Sequence, residues 1–215
     1  MRKQVIVIGL GRFGTAVARA LYELGHEVLA VDKNPERLDD LVGHCTHVAQ
    51  ADGCDRAAME ELGVRNLDVA IVSMSANLEA SILAVITMKD LGVPYVIARA
   101  ANAIHATILD KIGVNKVVQA EQEAATTLAH TFTVPQALDY MPLGPSYGVA
   151  KIAPPGPFIG RTIQELELRQ RYEVSLVALC RRSTILLYPR SDERIGADDY
   201  LVVIGRDDRL ETIGR

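Results

Sequence analysis

The sequence predicts an α/β protein, a doubly wound parallel sheet with a small C-terminal α+β domain, on three observations. Six short Val/Ile-rich runs alternate with amphipathic stretches of helix length up to about residue 133. The runs are apolar almost throughout rather than at every second position, which suits strands covered on both faces. After residue 148 the strand-like runs follow one another with only short turns between them, the pattern of an antiparallel module.

Taken in order, "QVIVIG" (4–9), "EVLAVD" (27–32), "THVAQAD" (46–52), "DVAIVS" (68–73), "PYVIAR" (94–99) and "KVVQA" (116–120) read as strands. Helices are expected near 13–24, 35–42, 54–62, 77–91, 102–111 and 121–133. This alternation implies parallel strands joined by crossover helices. The joints "ELGHE", "ELGVR", "DLGVP" and "KIGVN" each put a glycine just past a last helical turn, where a helix ends most easily. Residues 133–148, "TVPQALDYMPLGPSYG", carry three prolines and two glycines and read as a boundary. Beyond it come a strand, a loop, a short helix around 162–168 and strands near 174–180, 184–188 and 200–204. The expected division is a first domain over 1–134, a linker over 135–147 and a second domain over 148–215.

The totals exclude several classes. The chain has 215 residues, a formal charge of −4 and a pI near 5.7, so no basic field advertises nucleic acid or an anionic membrane. The N-terminal apolar run stops at Gly9, too short for a signal-peptide core. No stretch approaches the roughly 20 apolar residues that span a bilayer. The expected location is therefore cytoplasmic, with Cys45, Cys54 and Cys180 as reduced thiols.

The chemistry concentrates in "VIVIGLGRFGTAVARAL" (5–21). Gly9, Gly11 and Gly14 form G-x-G-x-x-G between a strand and a helix, as in a Rossmann-like dinucleotide fold. Gly9 permits the tight turn, Gly11 lets backbone approach a pyrophosphate, and Gly14 lets helix and strand pack closely. Phosphates then rest on free N–H groups at the helix N-terminus. Asp32 ends the second strand, where a carboxylate hydrogen-bonds ribose hydroxyls and repels a 2′-phosphate, which disfavours NADP. Phe13 beside Arg12 and Lys33 beside Asp32 complete this part of the candidate site. The pattern leaves NAD, ATP and ADP open, since all three offer an adenosine ribose and at least two phosphates.

A dehydrogenase also needs a substrate site and a proton relay. No histidine lies beyond residue 148, and His26, His105 and His130 read as surface or packing residues. His44, Cys45, His47, Asp52 and Cys54 lack the spacing of a tetrahedral zinc set. No catalytic residue is expected, and a small NAD-dependent oxidoreductase or redox sensor is the rival reading.

The stretches "GLGRFGTAVARALYELGHEVLAVDKNPERLDDL" and "THVAQADGCDRAAMEELGVRNLDVAIVSMSANLEASILAVITMKDLGVPYVIARAANAIHATILDKIGVNKVVQAEQEAA" resemble the Trk/Ktr-type potassium uptake regulatory subunits, the RCK family. "GPFIGRTIQELELRQRYEVSLVAL" and "ADDYLVVIG" are similar to that family's C-terminal (TrkA-C) domain. The resemblance implies a cytosolic subunit that assembles as a homo-oligomer, from dimer to octameric ring, on a K⁺-translocating membrane partner. Bound ATP or ADP sets the ring's shape in the Ktr branch, and Trk-type members bind NAD(H). It implies that Gly9, Gly11, Gly14 and Asp32 hold the nucleotide, that Arg12 reaches its terminal phosphate, and that Arg99 belongs to the same phosphate site. An arginine at the mouth of a phosphate turn also suits a charge-assisted, bidentate contact on general grounds. Asp52, Ser75 and Asn77, at successive strand ends, are expected to flank adenosine. Glu121 matches a glutamate that helps hold a divalent cation, Mg²⁺ or Ca²⁺, against the phosphates. Family members bind a small ligand, cyclic di-AMP among them, at a C-terminal dimer interface, and Arg169, Tyr172 and Pro189 lie in segments available to it. The apolar helix "SILAVITM" (81–88) reads as sheet-packing core, and the resemblance implies that the same surface also contributes to subunit contacts.

Overall fold

The structure is a computed structural model and describes residues 2–214. It divides into two compact units, the first ending at Ala120 and the second beginning at Glu121.

The first unit holds the strands β1 (Gln4–Ile8), β2 (Glu27–Asp32), β3 (His47–Gln50), β4 (Val69–Val72), β5 (Tyr95–Arg99) and β6 (Lys116–Val118). Between them run α1 (Arg12–Glu23), α2 (Glu36–Asp39), α3 (Arg56–Glu61), α4 (Leu78–Asp90) and α5 (Ala103–Ile112). The six strands form one parallel sheet in the order β3-β2-β1-β4-β5-β6. The unbroken apolar runs have a direct cause. Ile6 and Ile8 drop into one core with Met59, Ala84, Val85, Met88 and Leu109, while Val5 and Val7 drop into another with Ala18, Val28 and Leu41. Both faces of β1 are therefore buried. Asp55, Asn77 and Asn102 cap α3, α4 and α5 by accepting hydrogen bonds from first-turn N–H groups. The four expected helix-ending glycines, Gly25, Gly63, Gly92 and Gly113, all take positive φ. The helix expected over 35–42 shrinks to the single turn of α2, and the chain then turns back toward β3.

The second unit begins inside α6 (Ala120–Thr133) and continues with β7 (Ala137–Gly144), β8 (Tyr147–Ile152), α7 (Ile163–Leu166), α8 (Leu168–Arg171), β9 (Ser175–Arg181), β10 (Thr184–Leu187), β11 (Asp199–Arg206) and α9 (Asp207–Leu210). Its five strands form an antiparallel sheet in the order β10-β9-β11-β8-β7. Phe158, Leu166, Leu179, Leu201 and Val203 centre its core.

Three features depart from the sequence-based expectation. The segment read as a linker over 135–147 is mostly strand β7, hydrogen-bonded to β8. Pro142 is tolerated because β7 is the edge strand, where one side of the backbone needs no ladder partner, and the register slips on either side of the paired stretch. The division between units falls at residue 120 rather than 134, because α6 groups with the antiparallel sheet and not with the parallel one. The short helix expected over 162–168 is two single turns, α7 and α8, broken at Glu167 with its φ of +48°.

Candidate functional site

At the carboxyl edge of the first sheet the chain runs out from β1 toward β3, then returns to β4 on the other side of β1. That reversal opens a crevice, the usual place for a ligand in a doubly wound sheet. Here it is a cavity of about 300 Å³ bordered by the glycine turn and by the ends of β2, β4 and β5. Of the residues singled out in the sequence, Gly9, Gly11, Asp32, Lys33, Asp52, Ser75, Asn77 and Arg99 line it.

The three glycines do different things. Gly9 takes φ +89°, and a Cβ there would lie 2.8 Å from Met74 Cγ. A Cβ on Gly14 would lie 2.0 Å from the Gly9 carbonyl oxygen, so α1 can approach β1 this closely only with a bare backbone. Gly11 differs: it has an ordinary extended conformation, φ −72° and ψ −177°, and a Cβ there would meet nothing within 4 Å. The protein's own packing gives Gly11 no reason to be glycine. It borders the cavity beside the first N–H groups of α1, which have no partner inside the helix. A phosphate seated there would supply the reason.

Asp32 is 5% exposed and its carboxylate is already engaged. Leu10 N–H donates to Oδ2 at 2.7 Å, Asn34 N–H to Oδ1 at 2.9 Å, and Arg37 Nη1 to Oδ2 at 3.2 Å. Burial works to raise its pKa, but the two backbone donors and Arg37 outweigh it and hold the carboxyl below its ordinary value. Asp32 thus pins the glycine turn through Leu10 as well as facing the cavity. Arg37 was not anticipated in the sequence: it reaches Asp32 from α2 and lines the cavity.

On the opposite wall the Arg99 guanidinium lies over the Phe13 ring, 5.3 Å from its centroid. Phe13 does not itself line the cavity, but it is the surface against which Arg99 rests. Arg12, the first residue of α1, lines a neighbouring groove of about 740 Å³ together with Arg19 and Arg37. Asp52 accepts from Cys54 N–H and Asn77 from Ala80 N–H, so both also shape the loops they sit in. Ser73, buried at the end of β4, lines the cavity with a hydroxyl that has no hydrogen-bond partner. A buried unsatisfied hydroxyl beside a cavity is what a ligand's polar group would complete. No signal in the sequence distinguishes Ser73 from its neighbours.

The residues present fit a nucleotide: open backbone for phosphate, three basic side chains, Lys33, Arg37 and Arg99, and a carboxylate at the ribose position. No histidine, tyrosine or cysteine among the described residues lines the cavity. His105 is buried with Nδ1 accepting from Ala101 N–H, and the Cys54 thiol is pushed up to about 11 by burial and by Asp52. Glu121 lies in α6, in the second unit. Among the described residues no three or more His, Cys, Asp or Glu gather as a metal site, so a cation at Glu121 would need ligands from elsewhere. In the second unit, Arg169 and Pro189 border a separate cavity of about 480 Å³, whereas Tyr172 packs edge-on against Phe158, ring centroids 5.4 Å apart.

The TrkA-N domain family matches residues 5–120 and the TrkA-C domain family residues 149–215. The chain is 34% identical over 205 residues to the Ktr system potassium uptake protein C of Bacillus subtilis (strain 168), covering 95% of this chain and 93% of that protein. It is 32% identical over 203 residues to the Ktr system potassium uptake protein A of the same organism, covering 94% and 91%. The structure of the GsuK channel bound to NAD matches with a TM-score of 0.65 at 20% identity, over 98% of this chain and 38% of that one, a likeness of fold. With both domain families matched in order and full-length relatives above 30% identity, the chain belongs to the TrkA-N/TrkA-C family and is homologous to the Ktr system potassium uptake proteins.

Proposed function

We propose that this chain is the nucleotide-responsive regulatory subunit of a potassium uptake system, with no catalysis of its own. The observation that carries the proposal is Gly11: an open glycine, unneeded by the fold, at the mouth of a cavity with Arg99 and Asp32 on its walls. An adenine nucleotide fits this arrangement, with phosphates on the α1 N-terminus, ribose toward Asp32, and adenosine between Asp52 and the loop holding Ser75 and Asn77. Arg99, resting on Phe13, and Arg12 at the head of α1 are the cations assigned to a terminal phosphate. A γ-phosphate gives such a cation a partner that ADP lacks, which is the differential contact a switch requires. NAD(H) offers the same adenosine and pyrophosphate. A divalent cation would be held by phosphate oxygens with Glu121 of a neighbouring copy contributing across a subunit interface, and the second-unit cavity beside Arg169 and Pro189 is the place for a cyclic dinucleotide.

The partner is a K⁺-translocating membrane subunit. Among the described residues no helix is long and apolar enough to cross a membrane. Assembly with further copies is supported by the apolar residues left outside: Leu83 and Ile86 on α4, and Leu128 and Phe132 on α6, the last 91% exposed.

Calorimetric titration with ATP, ADP, NAD⁺ and NADH, with and without Mg²⁺, tests the reading. ATP binding that weakens about tenfold or more in Arg12→Ala or Arg99→Ala, with ADP less affected, supports a terminal-phosphate switch. Failure of every adenine nucleotide to bind would sink it, and turnover of NAD(H) with any substrate would reinstate the oxidoreductase.

A further inference from the structure

A carboxylate at the end of β2 is expected to accept both ribose hydroxyls and to turn away a 2′-phosphate. The hydrogen bonds around Asp32 point elsewhere. A carboxylate has about four lone-pair positions. Here Leu10 N–H and Arg37 Nη1 take both on Oδ2, and Asn34 N–H takes one on Oδ1. One acceptor position remains, enough for a single ribose hydroxyl while Arg37 stays in place.

The surrounding charge runs the same way. Asp32 is buried and its negative charge is met directly by Arg37. The cavity is lined by three cations, Lys33, Arg37 and Arg99, against two carboxylates, Asp32 and Asp52. Arg37 carries five N–H donors and spends one on Asp32, and its side chain is 53% exposed. It also borders the neighbouring groove, whose lining includes Arg12 and Arg19 together with Glu23 and Asp40. There is therefore room and positive charge immediately outside the ribose position, where the expected repulsion should be.

We propose that Arg37, with Lys33, makes the ribose end of this site receptive to a phosphorylated ribose, so that the cavity takes 2′-phosphorylated dinucleotides of the NADP(H) class as well as nucleotides with both hydroxyls free. Asp32 accepts the one hydroxyl that remains free, and the Arg37 fork holds the phosphate in a charge-assisted contact. This rests on reading the cavity as an adenine-nucleotide site and adds which ribose chemistry it admits.

The test is the ratio of NADP⁺ to NAD⁺ dissociation constants for the full chain, at fixed ionic strength, in the wild type, Arg37→Ala and Arg37→Lys. The wild-type constants lie within about tenfold of each other, since a charge-assisted contact to the phosphate offsets what the carboxylate costs. Arg37→Ala weakens NADP⁺ about tenfold or more while NAD⁺ holds or tightens, because a second hydroxyl then reaches Asp32. Arg37→Lys, which keeps the charge without the fork, falls between the two. A wild-type preference for NAD⁺ well beyond tenfold overturns the proposal with nucleotide binding intact. So does a ratio that Arg37→Ala leaves unchanged. Failure of NAD⁺, NADP⁺ and ATP alike to bind removes the nucleotide reading itself, and circular dichroism melts separate that from a misfolded variant.

Discussion

The two sheets bury their strands in different ways, and the difference decides what their polar residues are for. In β1 successive side chains enter two cores, so Val5, Ile6, Val7 and Ile8 are all buried. In β11 Leu201 and Val203 are buried while the neighbouring Tyr200 is 37% exposed, the alternation of a sheet with its core on one face. A parallel sheet must send the chain back through helices, and every strand then ends at the same edge. Loops accumulate there, and Asp32, Ser73 and Arg99 are delivered to one cavity. The antiparallel sheet, with hairpins at β7–β8 and β9–β10, scatters its turns over both ends. Its polar side chains are spent on one another instead: Tyr140 O–H donates to Asp207 at 2.6 Å, and Arg181 reaches both Asp199 and Glu193. The first unit gathers polar groups around one cavity, while these residues of the second unit pair with one another.

The largest effect on stability is expected where the first unit has no room. Gly14→Ala would drive a Cβ against the Gly9 carbonyl, backbone on backbone, with no flexible side chain to yield. Separating α1 from β1 should cost about 3 kcal/mol and disturb the glycine turn as well. Hydrogen exchange should show β1 and β4 amides losing protection while β9 and β11 keep theirs. Equal loss in both sheets would mean that the two units do not respond independently.

The matching perturbation of the second unit is Arg181→Met. Asp199 is 2% exposed, and without Arg181 it keeps only the Gly196 N–H as a donor. Because Arg181 is partly exposed, the cost should be about 2 kcal/mol rather than that of a fully buried pair. The pH dependence has a definite sign. The hydrogen bonds from Arg181 outweigh burial and hold the Asp199 carboxyl below its ordinary value of 3.8. Its contribution is therefore present above the unfolded value and is lost as pH falls through the lowered native one. Acid melts of the wild type should steepen in that window, and those of Arg181→Met should be flatter. A wild type and variant with parallel acid profiles would show that the pair does not carry this linkage.

The same contrast sets what could be read from the sequence. The parallel sheet announced itself because double burial makes unbroken Val/Ile runs, and the glycine turn because its spacing is set by covalent geometry. Asp32 followed from its place at the end of β2. What stayed hidden depends on contacts between distant residues: Arg37 closing on Asp32, Phe13 under Arg99, and the unpartnered hydroxyl of Ser73. Strand β7 was hidden for another reason. Pro142 and Gly144 look like a linker until the neighbouring strand shows that this is a sheet edge, where a missing N–H is harmless.

A smaller effect belongs to Tyr140→Phe. It removes the hydrogen bond to Asp207 but keeps the ring that stacks on His130, centroids 4.5 Å apart. The cost should be about 1 kcal/mol, the usual worth of one such bond. A thermal melt reads it directly. A loss several times larger would mean that Asp207, left without the hydroxyl, matters more to the second unit than the ring packing does.

The smallest effect on stability is expected at Gly11, and it bears hardest on function. An alanine there keeps the extended backbone at φ −72° and meets no atom within 4 Å. Stability should stay within about 0.5 kcal/mol of the wild type, as for a surface substitution away from any special feature. Nucleotide affinity should fall by about tenfold or more, because the new methyl occupies the approach of the phosphate to the α1 N-terminus. Melting temperature and titration on the same sample separate the two quantities. Unchanged melting with lost binding means that the ligand, and not the fold, requires this glycine. Unchanged binding would mean that the phosphates lie elsewhere along the crevice, and the assignment of Gly11 to the pyrophosphate would have to be given up.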